Sequence, residues 1–102
     1  ICIDSGFHIK SVTDISAGGA RFTPVDFREL TKAVLNSGTD IVILAHNHPD
    51  SPNTPSQEDV TLTREVMRYM RCLGVTVLDH YITGKNGTIS MRNCGLIHDM
   101  EC

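Results

Sequence analysis

No apolar stretch in this 102-residue sequence approaches the roughly 20 residues that a membrane span needs; the longest strongly apolar run is 41–45. The opening ICIDSGFHIK has neither a basic stretch nor an apolar one, so it does not read as a signal peptide. Basic residues are not in excess either: 9 Lys and Arg face 12 Asp and Glu, for a formal charge of −3. A domain that grips phosphates through its own surface usually carries the opposite balance, so autonomous nucleic-acid binding is disfavoured, and flanking domains would have to supply it. Arg64, Arg68 and Arg71 fall on one helical stripe, which reads as a solvated face. With only 8 Gly and 4 Pro the chain is neither collagen-like nor a linker, and its 40% hydrophobic content with low net charge excludes disorder.

Cys-x-x-Cys pairs are also missing. Cys2, Cys72, Cys94 and Cys102 are scattered, which excludes a zinc knuckle, a dithiol redox motif and a disulfide framework. Reduced thiols in a cytoplasmic protein are the simplest account, with Cys72, near a helix end, expected as a small core residue. There is no internal repeat. The length suits one domain over 1–102, burying roughly 65% of the surface its unfolded form exposes. Opening on Ile1 rather than Met, it is expected to be excised from a longer chain.

What is present is an alternation of strand and helix signals. The stretch 1–15 carries β-branched residues in loose alternation and suggests one or two strands broken at Ser5-Gly6. Ala17-Gly18-Gly19-Ala20 is a breaker. Thr23 as N-cap with Pro24 at the first helical position then starts a helix whose apolar residues are Phe27, Leu30, Val34 and Leu35, closed by Ser37-Gly38. The run 41–45 lacks polar alternation and predicts a strand buried on both faces. The stretch 50–55, DSPNTP, is loop by composition. Ser56-Gln57-Glu58-Asp59 fits a capping box opening a second helix, with Val60, Leu62, Val66, Met67, Met70 and Leu73 as its apolar face and Gly74 as its stop. The stretch 75–82 reads as a strand, Lys85-Asn86-Gly87 as a hairpin turn and 88–91 as the partner strand. Together these predict a small three-layer α/β or α+β domain.

The segment 46–59, HNHPDSPNTPSQED, carries the chemistry. His46 and His48, one residue apart at the end of a strand, project to the same side. Asp59, on the first turn of the next helix, can swing back over that strand end. Two imidazoles and one carboxylate make a three-ligand zinc site that leaves a fourth position for water, the pattern of catalytic zinc. Zinc there lowers the pKa of bound water to near 7 and polarises a carbonyl. Taken singly, His-x-His is unspecific, and Asp59 also fits as the acid of the Ser56 capping box. The combination with Pro49, Ser56 and the ten-residue gap from His48 to Asp59 favours the metal.

His46-x-His48-x(10)-Asp59, with Ser56 three residues before the acid, resembles the JAMM motif of the MPN+ metallohydrolases. The words LAHNHP, TPSQED and VLDHYITG are similar to the RadC-like branch of that family in bacteria and phages, over roughly 14–97. The resemblance implies a cytidine-deaminase-like three-layer sandwich, a mixed central sheet with helices packed on it. It implies one Zn2+ per chain on His46, His48 and Asp59, and Ser56 as the hydroxyl that bonds substrate or steadies an oxyanion. It also implies an early acidic residue that relays the proton, normally Glu; here the register gives Asp14, one methylene shorter. Asp4 and Glu29 are the other candidate acids for that role, Glu29 reading as a surface acid. Asp79-His80 reads as a pair bracing the sheet, or as a group orienting a ligand histidine. His8 and His98 read as exposed or end-of-chain residues, and Tyr69 and Tyr81 as packing residues. The function implied is zinc-dependent hydrolysis of an amide or isopeptide bond, on an unspecified peptide substrate, associated with DNA repair by family name only. A weak or inactive DNA-associated accessory module is the second class. Neither an HNH nuclease nor a zinc nucleobase deaminase fits, the latter needing His-x-Glu and Pro-Cys-x-x-Cys.

Overall fold

The computed structural model describes residues 1–13, 25–48 and 52–97. Strands β1 (Cys2–Ile3) and β2 (Ile9–Ser11) form the expected hairpin, broken around Ser5-Gly6. Asp4 organises its turn: Oδ1 accepts from the backbone N–H of Gly6 and of His8, both at 2.9 Å. Phe7 closes the turn at φ 62°, a left-handed conformation that disfavours a side chain, and its ring is 67% exposed. Phe7→Gly should therefore raise stability by about 1 kcal/mol in urea denaturation, since strain is relieved and little burial is lost. An unchanged or lower midpoint would show that the ring packs.

Helix α1 (Phe27–Ser37) begins later than expected from Thr23 and Pro24, which lie outside the described residues. Its N-cap is Asp26, whose carboxylate accepts from the N–H of Arg28 and Glu29 and is paired with the positive end of the helix. Leu30 and Val34 are buried, whereas Leu35 is 67% exposed. Strand β3 (Ile41–Asn47) follows, then α2 (Gln57–Cys72), β4 (Thr76–Gly84) and β5 (Gly87–Ser90). Helix α2 starts at the full capping box that Ser56 and Asp59 predicted. It stops where Gly74, at φ 75°, turns the chain: Gly74 N–H donates to Arg71 O and Val75 N–H to Met70 O, satisfying the last carbonyls.

The sheet order is β2-β1-β3-β4-β5, with β3 and β4 parallel through the α2 crossover and the other pairs antiparallel. This mixed sheet carrying helices is the expected α+β fold, consistent with a cytidine-deaminase-like description, but among the described residues the two helices form a single layer, so two layers stand where three were expected. Cys2 Sγ approaches Ala33 O of α1, and Cys2 pairs with Val42. Val42 lies opposite Val77 and Leu44 opposite His80, which bonds Thr63 of α2. Phe27 and Tyr69 meet edge-on at 5.1 Å between the helices. Both helices thus cover one face of the sheet, and the core lies between them: Leu30, Val34, Val42, Leu44, Val66, Met70 and Ile82.

That one-sided cover corrects the reading of 41–45. Val42 and Leu44 are buried, but Ile41 and Ile43 are half-buried and Ala45 is exposed, because the helices sit on the other side. On α2 the buried residues are Asp59, Val60, Thr63, Val66, Met67 and Met70. Cys72 falls on the opposite side and is exposed, not core; Leu73 is 42% exposed. Arg64, Arg68 and Arg71 are exposed, the solvated stripe expected. Among the described residues no helix is long and apolar enough to cross a membrane.

Candidate metal centre

The chemistry collects where β3 ends and α2 begins. His46 is the penultimate residue of β3, and His48 continues its line because its N–H donates to Thr83 O of β4 at 2.6 Å. The period of two puts both rings on the helix-covered side, edge to face with centroids 4.8 Å apart. Asp59, in the first turn of α2 and 6% exposed, faces them. Its Oδ1 lies 4.0 Å from His46 Nε2 and its Oδ2 3.5 Å from His48 Nε2.

Tetrahedral ligands at about 2.05 Å from a metal stand about 3.3 Å apart, so these spacings need only a slight contraction. One ligand atom from each of the three residues lies within 4.8 Å of the other two, and among the described residues this is the group that could hold a metal ion. The donor set, two imidazoles and a carboxylate, suits zinc and similar divalent metals. Burial lowers the His46 pKa, with His48 adding to the effect and the Asp59 carboxylate opposing it. A neutral imidazole is the state a metal requires.

Asp59 serves the helix as well. Oδ2 accepts from Ser56 N–H at 2.8 Å, and Asp59 N–H donates to Ser56 Oγ at 3.1 Å. The two readings of Asp59, cap and ligand, are therefore compatible in one side chain. Ser56 Oγ accepts from the backbone, and among the described residues its own proton has no acceptor, so the hydroxyl can donate outward.

Asp79 and His80 separate, as neighbours on a strand must. Asp79 is buried on the other face, where it accepts from Ser90 Oγ and from the N–H of His80 and Arg92, bracing the β5 end. His80 faces the centre, its ring 6.3 Å from that of His46. Thr63 Oγ1 donates to Asp59 O at 2.6 Å, so its single proton is used and His80 Nδ1–H donates to it, also at 2.6 Å. Burial pushes His80 down to about 4, with His46 adding to the shift and Asp59 and Asp79 opposing it. Thr63, wholly buried, was not read from the sequence; its signal was its place four residues after Asp59 on the buried stripe.

The acids named as alternatives do not join the triad. Asp4 is committed to its turn, and its carboxyl is held below the usual range chiefly by the His8 N–H. Glu29 is exposed and reaches Lys32 at 3.5 Å. Asp14 lies outside the described residues, as do the 17–20 breaker, His98 and Cys102. Strand β2, which ends three residues before Asp14, runs parallel to β3, toward the end of the sheet that carries the triad.

A family model described as a RadC-like JAB domain matches residues 1–96. A UPF0758 protein of Desulfitobacterium hafniense is 37% identical over 90 residues, covering 88% of this chain and 40% of that protein. One from Clostridium botulinum is 37% identical over 84 residues, covering 82% and 37%. Another from a Roseiflexus species is 33% identical over 96 residues, covering 94% and 41%. The chain thus spans about two fifths of the length of these relatives.

Proposed function

We propose that this chain, which belongs to the RadC-like JAB domain family, is a zinc-dependent hydrolase of amide or isopeptide bonds. The observation that carries the reading is the convergence of His46, His48 and Asp59 on one point at the strand end. Zinc held there would supply an activated water and a Lewis acid for a carbonyl. The chain's own residues divide the remaining work. His46 and His48 present Nε2, and Asp59 keeps Oδ1 clear of the helix cap. Ser56 donates its free hydroxyl proton to the oxygen on which charge develops, from the N-terminus of a 16-residue helix whose dipole favours that charge. Asp14 takes the proton from the attacking water and returns it to the leaving amine. The direction of β2 supports this assignment.

Metal content, measured by atomic emission on protein purified without chelator or histidine tag, tests the reading. The expected result is about one zinc per chain, lost in His46→Ala/His48→Ala. Loaded protein should cleave peptide or isopeptide reporters, with Asp14→Asn inactive and Ser56→Ala slowed by roughly 100-fold or more. No zinc uptake on addition would sink the hydrolase assignment. Zinc bound without any cleavage would favour a non-catalytic module.

A further inference from the structure

We infer that the β4–β5 turn is a clamp for the metal centre, with Asn86 and Asn53 as positioning residues that select the metal-binding tautomer of His48. The inference rests on the metal reading above and extends it to residues outside the motif.

A histidine that binds metal through Nε2 must carry its proton on Nδ1. His48 turns Nε2 toward Asp59 and Nδ1 toward Pro52 O, at 3.2 Å. A carbonyl only accepts, so Nδ1 is the donor and Nε2 keeps its lone pair. What holds that carbonyl in place is therefore part of the site. Pro52 itself is exposed and has no N–H to anchor it. Asn53 is buried, and its backbone N–H donates to Asn86 Oδ1 at 2.9 Å while its side-chain amide donates to Gly87 O at 3.1 Å.

The carbonyl of Pro52 and the N–H of Asn53 belong to one planar trans peptide unit, so they point in opposite directions. Fixing the N–H on Asn86 fixes the carbonyl on His48. The relay runs from His48 Nδ1–H through this peptide to Asn86 Oδ1, and each bond polarises the next. Both ends of the relay are anchored by the end of β4 and the turn that follows it. Thr83 O holds the His48 backbone, and Asn86 follows three residues later in the turn between Gly84 and Gly87.

The chemistry of the partners sets the test. Asn86 is used as an acceptor, so Asn86→Asp keeps the bond, while Asn86→Ala and Asn86→Gly lose it. Zinc affinity, measured by competition with a chelator, should fall about tenfold in both loss variants and stay close to wild type in Asn86→Asp. In metal-free protein, two-bond 1H–15N spectra should report His48 as the Nδ1–H tautomer in wild type and Asn86→Asp, and a mixture in the loss variants. Wild-type affinity and tautomer in both loss variants would overturn the clamp, as would an Asp variant as weak as Ala. If wild type takes up no zinc, the metal reading fails, yet the tautomer shift still decides whether the clamp acts on His48.

Discussion

Asp59→Asn should abolish metal binding and leave the protein close to wild-type stability, whereas Asp59→Ala should lose the metal and about 1 kcal/mol as well. The difference follows from the two oxygens. Oδ2 accepts from Ser56 N–H, and the amide oxygen of asparagine can keep that bond. The charge and the second oxygen that would meet a cation are gone in both variants. Loss of one of three protein ligands should exceed the roughly 10–100-fold cost of removing an outer partner of a metal site. Metal content by atomic emission and urea denaturation in chelator read the two effects separately. Stoichiometric zinc in Asp59→Asn would remove Asp59 from the ligand set. Equal stability of the Asn and Ala variants would show that the cap bond contributes nothing.

Acidification should destabilise the metal-free protein, with about 3 kcal/mol of the loss traceable to His80. The folded-state pKa of His80 is about 4 against an ordinary 6.5. Below pH 6.5 the unfolded chain therefore takes up a proton that the folded chain refuses. This contribution is whole above about pH 6.5 and is lost as pH falls toward 4. Burial is the leading cause, and the neighbouring His46 shifts in the same direction for the same reason. His80→Asn keeps a polar atom for Thr63 Oγ1 but cannot titrate, so denaturation midpoints between pH 7 and 4.5 should fall less steeply than in wild type. A variant as pH-sensitive as wild type would place the titration elsewhere.

Much of the fold was legible because it is local. The hairpin break at Ser5-Gly6, the Ser56 capping box and the Gly74 stop each depend on backbone chemistry within a few residues, and each stands as read. The His-x-His spacing was legible for the same reason, since a strand's period puts both rings on one side. Misreadings came where long-range packing decides. Cys72 and Leu35 are apolar enough for a core yet lie on helix faces turned away from it. The start of α1 is a local exception: it falls at Asp26 rather than Thr23 because an aspartate directly before the first turn satisfies two backbone N–H groups.

The sequence by itself determined the elements, the helix caps and the identity of the three candidate ligands, all set by short-range geometry and side-chain chemistry. Only the tertiary structure decided that Asp79 and His80 serve opposite faces and that Thr63 ties His80 to Asp59. Nor could the sequence have placed Asn86, 33 residues from Asn53, against the loop that orients His48. Such contacts depend on which strands pair and in what register, and that is settled by burying the sheet's one covered face beneath both helices.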